Sequence, residues 1–269
     1  MSSSSSSSLT VVILAGGKGT RMKSDLPKVL HEVDGIPMIL RVLRSALTLQ
    51  PRLVMVVVNE NTEAEIKTLI NNNCKTPTTT HTEFVVIVQL NPIGTGHALQ
   101  LAVSHLLLNE KEKEQGKVIV LCGDTPNIQP ALLQRFVNDS DGAIASFIAF
   151  RTAFQYGYGR VIMTPNATFK CILEEKDCQT DAERAIDLVN GGIYLFTNEF
   201  LKQFVYRLQR NNTQNELYIT DLLQFAANIE NEEVYVHTVP PTHVWQLRGV
   251  NTFEELQNAR QTYSLQTQS

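Results

Sequence analysis

Four cations, Lys18, Arg21, Lys23 and Lys28, fall within eleven residues and are offset only by Asp25. They lie in and just after a glycine-rich run, Leu14-Ala15-Gly16-Gly17-Lys18-Gly19-Thr20-Arg21-Met22, which Leu26-Pro27-Lys28 follows. Glycine lets a backbone turn tightly and bring its N–H groups against phosphate oxygens. The formal charge of the whole chain is −4, so these cations are not a by-product of composition. A phosphate-rich ligand fits them. A second turn, Cys122-Gly123-Asp124-Thr125-Pro126, sets a carboxylate just past an apolar run. Mg2+ takes one or two carboxylates supplemented by substrate phosphates and water, and Asp124 suits that role. On its own an aspartate near proline is equally a turn residue. Ile93-Gly94-Thr95-Gly96-His97 opens a helix, where free N–H groups can meet a base or a phosphate.

Two familiar phosphate loops do not fit. The P-loop requires G-x-x-x-x-G-K-[ST], whereas Gly17-Lys18 is followed by Gly19. The dinucleotide fingerprint requires G-x-G-x-x-G. Gly17-Lys18-Gly19 begins it but Met22 takes the third glycine position, and Leu99 does so after Gly94-Thr95-Gly96.

The elements that must position these residues alternate in type. Strands are expected at Leu9–Leu14, Leu53–Val58, Phe84–Gln89 and Lys117–Leu121, with helices at Met38–Leu49, Thr62–Asn72 and Gly96–Leu108. Pro37 suits a first helical position. Such alternation argues an α/β fold with a mostly parallel sheet covered on both faces, and ligands at the carboxyl ends of its strands. The glycine-rich loop and the Asp124 turn both lie at such ends. Asn71–Thr82 reads as a surface loop. The second half reads as strands at Gly142–Phe150, Gly159–Met163, Thr168–Leu173, Asp187–Phe196, Val234–Val239 and Val244–Leu247. Helices are expected at Asn198–Gln209, Tyr218–Ile229 and Thr252–Tyr263, the last capped by Asn251 or Thr252.

Composition sets outer limits. The chain has 269 residues, 43% of them hydrophobic, enough for one elaborate domain. Residues 9–263 read as that domain, nucleotide-binding to about residue 127 and substrate-shaping after it. Residues 1–8, almost all serine, read as a disordered tail or tag without the apolar region of a secretory signal, and 264–269 as a second tail. The negative charge argues against sequence-independent nucleic-acid binding, and no apolar run is long enough to span a bilayer. Cys74, Cys122, Cys171 and Cys178 contain no C-x-x-C pair, so free thiols in the reducing cytoplasm are expected.

The blocks LAGGKGTRMKSDLPKVLHEVDGIPM, GTGHALQ, GDTP, GYGR, ILEEKD, VNGGIY, NELYITD and GVNT occur in that order. With them the chain resembles the sugar-1-phosphate nucleotidyltransferases, from about Leu9 to Gln261. Within that family it is most similar to the uridylyltransferase half of bifunctional enzymes that act on N-acetylglucosamine 1-phosphate. The resemblance implies a Rossmann-like nucleotidyltransferase fold, with a mostly parallel mixed sheet flanked by helices. It implies Mg2+-dependent transfer of a uridylyl group from UTP to N-acetylglucosamine 1-phosphate, giving UDP-N-acetylglucosamine and pyrophosphate. Leu14, Ala15, Gly16, Gly17 and Gly123 would lie along the nucleotide, and Gln89, Gly94 and Thr95 would address the uracil. Arg21 and Lys28 would hold phosphates and transition-state charge. Asp124 and Asn251 would bind the metal. Gly159, Glu174 and Asn190 would hold the amino sugar, with Tyr218 and Thr220 near its acetamido group. No general base is required, because a sugar phosphate is already an anion, and His97 reads as a packing residue.

The sequence departs from the family at several points. Cys122 replaces the usual aromatic residue before Gly-Asp, Pro92 stands near the place of a second glutamine, and Asn190-Gly191-Gly192 replaces Asn-Thr-Gly. The Gly191 change, with loss of a hydroxyl expected near the sugar, leaves glucose 1-phosphate or another hexose 1-phosphate or nucleotide as an alternative. The hexapeptide repeats of the bifunctional enzymes do not occur in the sequence, so neither acetyl transfer nor their trimer is expected, and a monomer or weak homo-oligomer is. A catalytically silent nucleotide-sugar-binding subunit would be expected to lose the phosphate cations or metal ligands. Here Arg21, Lys28, Asp124 and Asn251 all remain.

Overall fold

Leu53–Val58 is a six-residue strand with four valines and every side chain buried. β-Branched residues fill a pleated surface well, and continuous burial places this strand inside a sheet covered on both faces. In the computed structural model, which describes residues 8–108, 116–229 and 232–267, it is one of eleven strands among those residues. They are β1 (Ser8–Ala15), β2 (Glu32–Val33), β3 (Ile36–Pro37), β4 (Leu53–Val58), β5 (Glu83–Val88), β6 (Gly116–Cys122), β7 (Ala145–Arg151), β8 (Arg160–Met163), β9 (Phe169–Leu173), β10 (Leu188–Thr197) and β11 (Tyr235–Val239). The helices are α1 (Met38–Leu47), α2 (Glu63–Asn73), α3 (Thr95–Leu108), α4 (Pro130–Asp139), α5 (Asp181–Arg184), α6 (Asn198–Phe204), α7 (Thr220–Ala227) and α8 (Phe253–Thr267).

The main sheet runs β11-β7-β10-β6-β1-β4-β5, with β8 and β9 attached through β10. β1 is parallel to both β4 and β6, so Val12 lies between Met55 and Val120. β10 is antiparallel to β6 and to β7, which makes the sheet mixed but mostly parallel, as expected. Period-two alternation divides its side chains between two cores. Val12, Met55 and Val57 pack with Leu99 of α3, Phe200 of α6 and Leu222 of α7. Val11, Ile13, Val54 and Val56 pack with Leu43 of α1, Ile66 of α2 and Leu133 of α4. The strands β1 and β6 therefore end side by side, and the glycine-rich loop and the Asp124 turn leave from adjacent positions.

A third core matters more for the site. Met22 of the glycine-rich loop, Val33, Met38, Val250, Leu256 and Ala259 form one buried cluster. It pins the loop after β1 against the last helix, and so brings Asn251 back to residues more than 200 positions earlier.

Several local expectations are corrected. Val244–Leu247 is not a strand but part of a 3-10 helix, Pro241–Leu247, since proline sets the helical φ at its start. Pro37 belongs to β3 and is the N-cap of α1, not its first residue. α2 continues to Asn73 and a 3-10 turn covers Pro77–Thr79, so Asn71–Thr82 is not a continuous loop. The closing helix runs to Thr267, beyond Tyr263. The polyserine segment to residue 7 lies outside the described residues. All four cysteines are unpaired. Among the described residues no helix is long and apolar enough to cross a membrane.

Candidate active site

The glycine-rich loop leaves β1 through Ala15 and Gly16 and closes a 3-10 turn at Thr20–Met22. Gly19 has φ +61°, and a Cβ there would lie 2.7 Å from Cβ of Lys28. Only glycine lets the two arms of the loop approach this closely. The turn after β6 is tied to the same place, since the Gly123 amide donates to the Leu14 carbonyl at 2.9 Å.

Four residues expected at the phosphates and the metal meet here. The Lys28 ammonium donates to the Asp124 carboxylate and, at 3.0 Å, to Oδ1 of Asn251. Arg21 Nη2 donates to the same Asn251 oxygen at 3.0 Å. Lys28 and Asp124 are mostly buried, with side chains 12% and 21% exposed. Asn251 is held from behind. The Val250 amide donates to the Asp124 carbonyl at 2.9 Å, and the Asn251 amide donates to Glu255 Oε2 at 2.6 Å. Glu255 also accepts from Thr252 N, while Thr252 Oγ1 accepts from Glu255 N. This is a capping box at the start of α8, and Thr252 rather than Asn251 is the cap.

Asp124 and Asn251 fit Mg2+ on one observation. A single ammonium bonds an oxygen of each, so those oxygens face one point. Mg2+ takes one or two such protein ligands and draws much of its shell from substrate phosphates and water.

A cavity of about 440 Å³ opens beside this cluster. Its lining includes Leu14, Ala15, Gly16 and Gly17 together with Gln89, Gly94 and Thr95, and also Lys28 and Asp124. These are the residues expected along the nucleotide. Gln89 is 4% exposed. Its amide nitrogen lies 3.0 Å from His97 Nδ1 and donates to the Gly94 carbonyl at 3.3 Å. His97 thus orients Gln89, consistent with a packing role. Gly123 does not line the cavity; a Cβ there would lie 2.8 Å from Ile39, so it backs the loop instead. Cys122 does line it. Burial first, then the nearby Asp124 charge, push its thiol up to about 12, so the thiol stays protonated and donates to the Gly192 carbonyl at 3.5 Å.

The residues expected at the sugar also converge. The Asn190 amide donates to the Gly159 carbonyl at 2.9 Å, and a Cβ on Gly159 would lie 3.3 Å from Glu174 Oε2. Thr220 Oγ1 donates to Glu174 Oε1 at 2.9 Å. Burial, with Asp177 and Asp221 nearby, raises the Glu174 carboxyl despite the Thr220 bond. Burial and Asp177 push Asp221 up to about 6. Tyr218 is 9% exposed, and burial followed by the charges of Asp177 and Glu174 raises its hydroxyl. Asn190 spends side-chain bonds inside the protein, donating to Tyr194 Oη at 2.7 Å and accepting from Gly192 N at 3.0 Å. At Gly191 a Cβ would lie 2.8 Å from the Ile148 carbonyl of β7, so a side chain there meets the neighbouring strand.

Residues not singled out from the sequence complete the site. Glu216 lines the cavity, joining Lys18 of the glycine-rich run, and Glu255 anchors Asn251. Arg160 is 2% exposed and pairs with Glu175 at 2.7 Å, while donating to the Tyr158 and Arg184 carbonyls. It fixes the turn that carries Gly159. The Thr252-x-x-Glu255 spacing was a visible signal for Glu255; nothing local marked Glu216 or Arg160.

The family described as the MobA-like NTP transferase domain matches residues 11–259. The "Probable UDP-N-acetylglucosamine pyrophosphorylase" of Acanthamoeba polyphaga mimivirus is 35% identical over 254 residues, 93% of this chain and 94% of that protein. The "Bifunctional protein GlmU" of Alcanivorax borkumensis is 34% identical over 256 residues, 95% of this chain and 52% of that protein. Its counterpart in Anaeromyxobacter sp. is 38% identical, over 93% of this chain and 48% of that protein. The chain therefore spans about half the length of these two bifunctional relatives. Among solved structures, the inositol-1-phosphate CTP transferase from T. maritima superposes with a TM-score of 0.67 at 17% identity, covering 97% of this chain and 96% of that one. HddC from Yersinia pseudotuberculosis gives 0.63 at 18%, covering 94% and 99%. At such identity these two show a shared fold.

Proposed function

Since the chain belongs to the MobA-like NTP transferase domain family, we propose that it joins UTP and N-acetylglucosamine 1-phosphate to give UDP-N-acetylglucosamine and pyrophosphate. The observation that carries this reading is the meeting of Arg21, Lys28, Asp124 and Asn251, two of which, Lys28 and Asp124, line the cavity beside the glycine-rich run. The similarity to the mimiviral pyrophosphorylase along nearly all of both chains supports the substrate pair.

Nucleotidyl transfer asks for position and positive charge. Leu14 to Gly17 line the triphosphate. Gln89, Gly94 and Thr95 meet the uracil. Gln89, whose amide nitrogen is held by His97 and the Gly94 carbonyl, presents its amide oxygen to the imide N–H of the ring. Lys28 and Arg21 hold phosphate oxygens and balance the charge that builds at the α-phosphorus. Gly159, Glu174, Asn190, Tyr218 and Thr220 hold the amino sugar so that its phosphate oxygen attacks in line and pyrophosphate leaves. Asp124 and Asn251 are the residues that would hold Mg2+, which supplies charge neutralisation at the bridging phosphates when bound. The reaction belongs in the cytoplasm, where nucleoside triphosphates are available, and the chain works as a monomer or weak homo-oligomer.

The test is pyrophosphate release from UTP with N-acetylglucosamine 1-phosphate and Mg2+. Turnover is expected with this pair above other nucleotide–sugar pairs. Turnover only with glucose 1-phosphate or another nucleotide would select the alternative raised by the Gly191 change. Absence of turnover with any pair would overturn both.

A further inference from the structure

The base end of the cavity and the sugar end are joined by a backbone clamp. Ile93–Gly96, which enters α3, lies against Leu217–Ile219, which enters α7. The Leu217 amide donates to the Ile93 carbonyl and the Gly96 amide to the Leu217 carbonyl, both at 2.7 Å. The Ile219 amide donates to Thr95 Oγ1 at 3.1 Å. The contact is close because both sides allow it. Gly94 has φ +112°, and a Cβ there would lie 2.3 Å from the Leu217 carbonyl oxygen; one on Gly96 would lie 2.9 Å from it.

The clamp continues at both ends. Toward the base, the Gly94 carbonyl accepts from Gln89. Toward the sugar, Thr220 follows Ile219 directly, is 2% exposed and donates to Glu174. Glu216, just before Leu217, lines the nucleotide cavity and is itself fixed. Its amide and carbonyl both bond the Asn212 side chain, at 3.1 and 2.6 Å. One short segment thus touches the nucleotide cavity at Glu216 and the sugar residues at Tyr218 and Thr220.

We propose that Thr95 is a positioning residue that couples the two subsites, so that nucleotide in the cavity strengthens binding of the sugar phosphate and the reverse. This rests on the proposed placement of base and sugar. The Thr95 oxygen accepts from Ile219, which leaves its own O–H to donate to a base carbonyl. A base seated there fixes Ile93–Gly96, and with it Leu217–Thr220, before the sugar arrives. The second ligand then meets an ordered segment and binds at lower entropic cost. By linkage the sugar phosphate strengthens the nucleotide by the same factor.

The experiment pairs two readouts on the full chain with Mg2+. Calorimetry gives the Kd of α,β-methylene-UTP with and without N-acetylglucosamine 1-phosphate, and the reverse. Amide hydrogen exchange follows Leu217 and Ile219 with the nucleotide analogue alone. At least about fivefold mutual tightening is expected, with both amides slowed by nucleotide. Thr95→Val, which keeps the shape and removes the hydroxyl, is expected to bring the coupling ratio within about twofold of unity. Thr95→Ser is expected to restore it. The ratio is the readout, since Thr95→Val also weakens nucleotide binding outright. Unchanged exchange in the presence of bound nucleotide, or full coupling in Thr95→Val, overturns the proposal. Amides slowed by nucleotide with no heat from any sugar phosphate would leave the base half of the clamp standing and overturn the proposed substrate.

Discussion

The Lys28 ammonium donates to the Asp124 carboxylate across 96 residues of sequence. Each is the other's counter-charge in a mostly buried place, and both share Asn251 as neighbour. The cation proposed for the phosphates and the carboxylate proposed for the metal thus hold one another in position. Removing either one leaves a charge without its partner as well as a catalytic gap.

Lys28→Ala and Asp124→Ala are each expected to lower turnover by about 10²–10³, the scale of losing one transition-state electrostatic contact. Because the two act as a unit, the double variant should fall well short of the product of the single losses. Initial rates of pyrophosphate release measure all three. A Lys28→Ala enzyme within a few-fold of the parent would remove Lys28 from the reacting centre.

Much of this was legible because the signals were local. Leu53–Val58 reads as a buried strand from its composition alone, and the glycine-rich loop announces its cations. The small β2–β3 hairpin also had a signal, Asp34-Gly35, whose φ values of 55° and 67° suit the primed turn that Asp-Gly favours. Pro130 likewise marked the first turn of α4, with Leu132, Leu133 and Phe136 as its buried face. What sequence could not give was the third core. The packing of Met22 against Val250 and Leu256 brings Asn251 to Lys28, and no local pattern encodes that meeting. Gly191 shows the converse limit. Its lost side chain suggested a lost sugar contact, but the direction of a Cβ depends on which strand lies beside it.

Gly191→Thr tests that direction. Restoring the usual residue drives a Cβ to within 2.8 Å of the Ile148 carbonyl, and β7 must move to admit it. A loss of about 1–3 kcal/mol is expected, typical of overpacking, with no gain in affinity for N-acetylglucosamine 1-phosphate. Denaturant unfolding and sugar-phosphate titration check the two halves. A stable variant with tighter sugar binding would show that the side chain turns toward the sugar.

Asp221 makes the stability depend on pH. Burial first, and then Asp177, push its carboxyl up to about 6 in the folded protein, against about 4 in the unfolded chain. Between these values the folded state holds the proton that the unfolded state has released. Stability from this group therefore falls as pH rises through that window and is level above it. Asp221→Asn should match the parent near pH 4 and exceed it at pH 7. The gain should be about 1 kcal/mol once partial exposure is discounted. Glu174, raised in part by Asp221, shifts in the same direction. Unfolding midpoints compared across pH 4–7 would show a difference that widens with pH; a difference independent of pH would refute the assignment.

Arg160 and Glu175 make the strongest stability prediction. Arg160 is buried among carbonyls of Tyr158 and Arg184, and it forms an ion pair with Glu175. Arg160→Met takes the guanidinium away from those carbonyls and from a mostly buried carboxylate. Breaking such a pair costs about 3–5 kcal/mol, or roughly 10 °C in Tm for a chain of this size. Glu175 also accepts from the Gly157 amide at 3.3 Å, so the turn before Gly159 loosens as well, and KM for the sugar phosphate should rise more than KM for UTP. Arg160→Met with Glu175→Leu removes both charges and should recover part of the stability without recovering the sugar KM. Thermal unfolding and the two KM values separate these effects. Equal changes in both KM values would mean that Arg160 supports the fold at large rather than the turn that carries Gly159.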